Sequence, residues 1–108
     1  MRFLPVGLAF AVLAVICGAI LLKAQPNYDE YGVEMPPAKY DHEPSVPVVL
    51  SFMSSFKIHK TCGNDVALAC AYSYANFCAI HLPNDASSQA LLDDLLIHEK
   101  AHCNGWVH

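Results

Sequence analysis

The chain has 108 residues, enough for one domain at most, with 55% hydrophobic and 15% charged residues. Much of the apolar content lies in the first 22 residues; beyond residue 24 there are four Lys and no Arg against all ten Asp and Glu, a net charge of about −6. With no basic cluster, no nucleic-acid partner is expected, because phosphate binding needs grouped cations.

In chain order, residues 3–22 form an apolar run broken only by Pro5, Gly7, Cys17 and Gly18, with Arg2 before it and Lys23 after it. A run of about 20 such residues can cross a bilayer. The same stretch fits a secretory signal with Arg2 as its n-region and a cut after Ala24, although Leu22 stands where a small residue is usual. Residues 1–24 are therefore a signal peptide or an N-terminal membrane anchor. Either sends residues 25–108 out of the cytoplasm, to the periplasm or to the outer face of the cytoplasmic membrane. Cys17 follows Ile16, a poor match to a lipidation site, and is read as part of the apolar segment.

Residues 25–45 carry Pro26, Pro36, Pro37 and Pro44 among acidic and aromatic residues without helical or strand period. They are expected to form an extended, largely disordered linker. The folded domain is then residues 46–108, small enough to need a disulfide or a metal for stability. Cys62, Cys70, Cys78 and Cys103 are an even set in an exported domain, as two disulfides require, and all three pairings stay open.

Residues 46–53 are rich in β-branched side chains and suit a strand, with Pro47 confining it to an edge or a strand start. Residues 62–65, Cys-Gly-Asn-Asp, are a turn by composition. Residues 69–74 and 77–82 read as two short strands joined as a hairpin near Ala75-Asn76. From about Ser87 to Cys103 the period is helical: Leu91, Leu92, Leu95 and Leu96 share one side, Asp93, Asp94 and Lys100 the other. Asp85, Ser87 and Ser88 are N-cap candidates, and Asn104-Gly105 suits a left-handed helix end. The expected fold class is α+β, with short antiparallel strands packed on one C-terminal helix.

His98-Glu99-Lys100-Ala101-His102 is H-E-x-x-H. On a helix, residues i and i+4 share a face, so both imidazoles can reach one ion. Both fall in the sector of Leu91 and Leu95, where buried imidazole nitrogens need partners. Glu99 projects about 100° around from His98, placed to take a proton from metal-bound water without binding the metal. His108 follows His102 by six residues with Gly105 midway, making H-E-x-x-H-x-x-G-x-x-H. The glycine lets the chain leave the helix sharply and return toward the metal. The expected centre is one zinc per chain on His98, His102 and His108, with Glu99 as general base. Copper or nickel also suits imidazole ligands. A third ligand from His81, His59 or another molecule stays open.

The segment HEKAHCNGWVH resembles the zinc-binding consensus of the metzincin metallopeptidases at His98, Glu99, His102, Gly105 and His108. The chain also resembles small exported bacterial proteins, often encoded with conjugation or mobile-element functions, that end in H-E-x-x-H-C-x-G-x-x-H. Cys62-Gly63, Cys70-Ala71 and residues 78–83, Cys-Ala-Ile-His-Leu-Pro, match the features preceding the helix in that group. The resemblance implies a small zincin-like α+β domain with the metal helix on a sheet. It departs from metzincins in one respect: their Met-containing turn lies downstream of the third histidine, whereas Met35 and Met53 lie upstream here.

Cys103 is expected in a disulfide, with a thiolate ligand as the alternative. Trp106 is expected to pack under the returning loop, with substrate contact as the alternative. His81 reads as an ordinary strand residue. Residues 77–82 are a candidate edge strand for pairing with a peptide. His42 and His59 carry no spacing signal. Two functions fit: an exported zinc metallopeptidase acting on a peptide or protein substrate, or a non-catalytic envelope protein stabilised by zinc and disulfides. The second would bind an envelope partner as a component of a secretion or conjugation apparatus. Residues 3–22 would hold either to the membrane if uncleaved.

Overall fold

A computed structural model describes residues 26–108; the expected signal or anchor lies outside them. The elements in order are β1 (Asn27–Tyr28), β2 (Glu34–Met35), a 3-10 turn (Ala38–Tyr40), β3 (Val48–Met53), α1 (Ser55–Cys62), β4 (Cys70–Ser73), β5 (Cys78–Pro83) and α2 (Gln89–Cys103). The fold is α+β, with the C-terminal helix packed against strands. No helix among the described residues is long and apolar enough to cross a membrane.

Strands β3, β5 and β4 form one sheet in that order, so β5 is central. Cys78, Ile80 and Leu82 alternate along β5 as buried residues, with Pro83 also buried at its end, and Ile80 and Leu82 are at 0% and 2% exposure. Burying each stabilises the fold by about 1.5–3 kcal/mol. Ile80 and Leu82 join Val33 and Leu95 in the core, with Leu91, Leu92 and Leu96 of α2 packed around them. The leucine stripe therefore faces the sheet as its period predicts.

Strands β4 and β5 form the expected antiparallel hairpin, pairing Cys70 with His81 and Ser73 with Cys78. The expectation of antiparallel strands throughout fails at β3, which runs parallel to β5 from Val48↔Cys78 to Met53↔Pro83. A parallel neighbour needs a crossover, and α1 with β4 supplies it. Helix α1 gave little sequence signal because its apolar period is weak: Ile58 is fully buried but Phe56 is 69% exposed. Its ends are well specified nonetheless. Ser54 caps it by accepting from the Lys57 amide, and Gly63 ends it at φ 67°.

Residues 26–45 correct the linker expectation. Strands β1 and β2 pair antiparallel, and the Asp29 carboxylate fastens their turn by accepting from the Tyr31 and Val33 amides at 2.9 and 2.8 Å. Val33 enters the core, and Met35 packs against it. The stretch that follows straps the far end of α2. Asn104 donates to the carbonyls of Tyr40 and His42, and Lys100 pairs with Glu43 at 2.7 Å. The composition is polar because most of these contacts use backbone and charged groups. Their partners lie 57–64 residues away, beyond the reach of local pattern.

Two disulfides are present, Cys62–Cys70 and Cys78–Cys103. The first ties the end of α1 to the start of β4. The second ties the last residue of α2 to the first of the central strand, so Cys103 is half of a cystine and not a thiolate ligand. Both are compatible with an exported protein.

Candidate metal centre

The site is built at the C-terminal end of α2. Ser88 starts the helix by accepting from the Leu91 amide at 3.1 Å. At the other end the Gly105 amide bonds to the His102 carbonyl at 3.0 Å and the Trp106 amide to the Ala101 carbonyl at 3.1 Å. These two bonds are a Schellman motif with Gly105 at φ 96° as its left-handed residue. The motif reverses the chain, buries Trp106 near the fully buried Ala101, and brings His108 back over the helix.

The Nε2 atoms of His98, His102 and His108 converge. They lie 3.1 Å (98 to 102), 3.2 Å (98 to 108) and 3.0 Å (102 to 108) apart. Each ring's Nδ1 faces an oxygen: His98 bonds to the Glu34 carbonyl, His102 to the Trp106 carbonyl at 2.7 Å, and His108 lies 3.1 Å from the Glu34 carboxylate. Such oxygens only accept, so each Nδ1 carries the hydrogen. In neutral rings three Nε2 lone pairs then point at one another, an arrangement that a cation relieves. Burial lowers the pKa of His98 and His102 below the ordinary imidazole value, which favours their neutral, ligating form. A tetrahedral ion about 2.0–2.1 Å from each nitrogen would space them about 3.3–3.4 Å apart. The trio is within a few tenths of an ångström of that spacing, so the residues fit a metal ion.

Trp106 walls the site from beneath. Its indole stacks on His102 at 5.0 Å and 13°, and meets His98 edge-on at 4.9 Å. This is the packing role expected for it.

Glu99 is 4% exposed, with Oε1 3.8 Å from His98 Nε2 and Oε2 lacking any hydrogen-bond partner. Burial pushes its carboxyl up to about 7. A buried oxygen without a partner costs about 1–3 kcal/mol. The histidines and Glu99 sit in a cleft of about 580 Å³ whose walls include Leu95, Leu68 and Ala69, and Val33 with Glu34. That volume suits a small ligand or a short peptide segment.

Among the described residues, the ligand atoms of His98, His102 and His108 all lie within 4.8 Å of one another, and neither His59 nor His81 belongs to the group. His81 sits on β5 with its ring against Tyr72, its Nδ1 buried without a partner. Strand β5 is central, so residues 77–82 cannot pair with an added peptide strand; the edge beside the cleft is β4 with the residues leading into it. Glu34 was not legible as a site residue. It lies 64 positions before His98, in a stretch whose composition gives no structural period. No protein-family model, curated protein or solved structure matches the chain.

Proposed function

We propose that this protein is an exported zinc-dependent metallopeptidase, with His98, His102 and His108 holding one zinc and Glu99 as general base. The observation that carries the reading is the pairing of two features in one cleft. Three imidazoles converge at the wall of the cleft, and a buried carboxyl with an unpartnered oxygen lines the same cleft beside them. A purely structural site has use for the first and none for the second. Three histidines with an open fourth position are a catalytic zinc set, and the likeness of residues 98–108 to the metzincin segment supports the same choice.

Bound zinc would polarise a carbonyl and acidify water at neutral pH. The protein's own groups do the remainder. Glu99, with its carboxyl near 7, accepts the proton of the attacking water and delivers it to the departing amine. Leu95, Leu68 and Ala69 give the cleft an apolar wall beside the histidines, and the free edge of β4 offers backbone groups to an extended peptide. Residues 3–22 would deliver the domain to the periplasm or hold it at the membrane.

The second reading, a non-catalytic envelope protein, is favoured by the size of the core, which centres on four buried residues. Zinc and two disulfides would then serve as staples. Glu99→Gln separates the two. In the peptidase it retains one zinc per chain and loses hydrolysis of a peptide library by at least a hundredfold. Equal hydrolysis by the variant would refute the assigned role of Glu99. Zinc-loaded wild type with no hydrolysis across the library would favour the staple.

A further inference from the structure

We propose that Glu34 is the positioning residue of the metal centre, its carbonyl and carboxylate together fixing two of the three ligand imidazoles. This rests on the reading that the trio holds a metal ion. Three Nδ1 atoms need acceptors, and one residue supplies two of them: the Glu34 carbonyl takes His98 and the Glu34 carboxylate takes His108. The third acceptor, the Trp106 carbonyl, comes from the helix's own end. Without the hairpin, α2 and its turn would carry all three ligands but fasten only His102.

The carboxylate lies on the Nδ1 side of His108, away from the converging Nε2 atoms, and it is not among the clustered ligand atoms. It therefore acts through the imidazole and does not bind the ion itself. An imidazole that donates Nδ1–H to a carboxylate presents its Nε2 lone pair in a fixed direction and is a more basic ligand. His108 has most need of this. It is 40% exposed at its side chain and stands beyond the helix, in the returning turn. His98 is seated within the fold and needs only orientation, which a backbone carbonyl gives.

The hairpin is built to hold Glu34 in place. The Asp29 carboxylate closes the turn onto the Val33 amide, Gly32 takes the left-handed conformation at φ 79°, and Val33, one residue before Glu34, is buried at 4% exposure. A core anchor next to a polar clamp transmits the position of the core to the ligands. The segment upstream of β3 thus belongs to the metal centre as much as the H-E-x-x-H helix does.

The test uses the full chain with both disulfides formed, and zinc alone as probe, for wild type, Glu34→Ala and Glu34→Gln. Removing a carboxylate that orients a ligand weakens metal binding about 10–100-fold. Glu34→Ala should show that loss, and Glu34→Gln, which keeps an acceptor oxygen without its charge, a severalfold one. Nitrogen NMR of the metal-free chains supplies a readout that a merely structural role would not move. His108 should lose its Nδ1–H tautomer in Glu34→Ala and keep it in Glu34→Gln, while His98, held by the backbone, keeps its tautomer in both. If Glu34→Ala does not fold, the near-isosteric Glu34→Gln carries the affinity test. Wild-type affinity in a folded Glu34→Ala, or in Glu34→Gln, overturns the inference and leaves the metal reading intact. A wild-type chain that takes up no zinc overturns the metal reading, and this inference with it.

Discussion

Replacing Glu99 with Gln should stabilise the metal-free protein, by an amount that grows with pH. The Glu99 carboxyl is 4% exposed, and burial alone lifts its pKa from 4.5 to about 7. Because the folded state holds this proton more tightly than the unfolded one, the contribution of Glu99 is fully present below about pH 4.5. It is lost as pH rises toward 7, and is flat above that. The interval between 4.5 and about 7 corresponds to about 3 kcal/mol. His98 and His102 act in the opposite direction, since burial lowers their pKa and stability falls as acid protonates them. Their contribution is common to both proteins and largely cancels in the difference. Denaturant melts of the metal-free wild type and Glu99→Gln, taken between pH 4.5 and 8.5, should coincide at the acid end. They should diverge to about 3 kcal/mol at pH 8, a gap in Tm of more than about 10 °C. Adding zinc should narrow the gap, since a nearby cation favours the ionised carboxylate. Curves that stay parallel across the range would refute the argument that burial governs this group.

Three further outcomes follow from named contacts. Gly105→Ala forces a side chain onto φ 96°, so it should cost about 1–2 kcal/mol and weaken zinc binding by moving His108; a melt and a zinc titration check both. Opening the 25-residue separation of Cys78–Cys103 with paired serines should cost about 3.5 kcal/mol on loop entropy, measured by chemical denaturation. Val33→Ala should remove about 1–2 kcal/mol from the core and also lower zinc affinity, because Glu34 follows it; calorimetric titration of zinc reports the second effect.

The parts of the fold that were legible in the sequence are those written in local pattern. The leucines of α2, the Ser88 cap and the Gly105 exit need only a few neighbouring residues to be recognised, and the structure has all three. His98, His102 and His108 meet because helical spacing and one turn bring them together. Strand β5 alternates from Cys78 to Leu82 as a strand with one buried face should. What stayed hidden depends on partners distant in the chain. The parallel pairing of β3 with β5 is decided by a crossover helix whose one buried residue is Ile58. The hairpin at Asn27–Met35 earns its place through Val33 and Glu34, and nothing within ten residues of either announces α2 as their destination. The choice between the three disulfide pairings likewise needed the topology, since it is the central position of β5 that sets Cys78 beside Cys103.

The Cys78–Cys103 bond has a thermodynamic consequence beyond stiffness. Cys103 is the neighbour of His102 in the chain, so the cystine and an ion held by the histidine trio would act on the same turn of helix. Coupling between two such events is reciprocal. To whatever factor oxidation tightens the hold on metal, metal hardens the cystine against reductants by the same factor. With metal bound at the trio, a chelator added to the folded protein should sensitise this disulfide to thiols, and a thiol should loosen the metal. In a compartment that supplies both an oxidant and zinc, each would lock in the other, and the helix end would remain set.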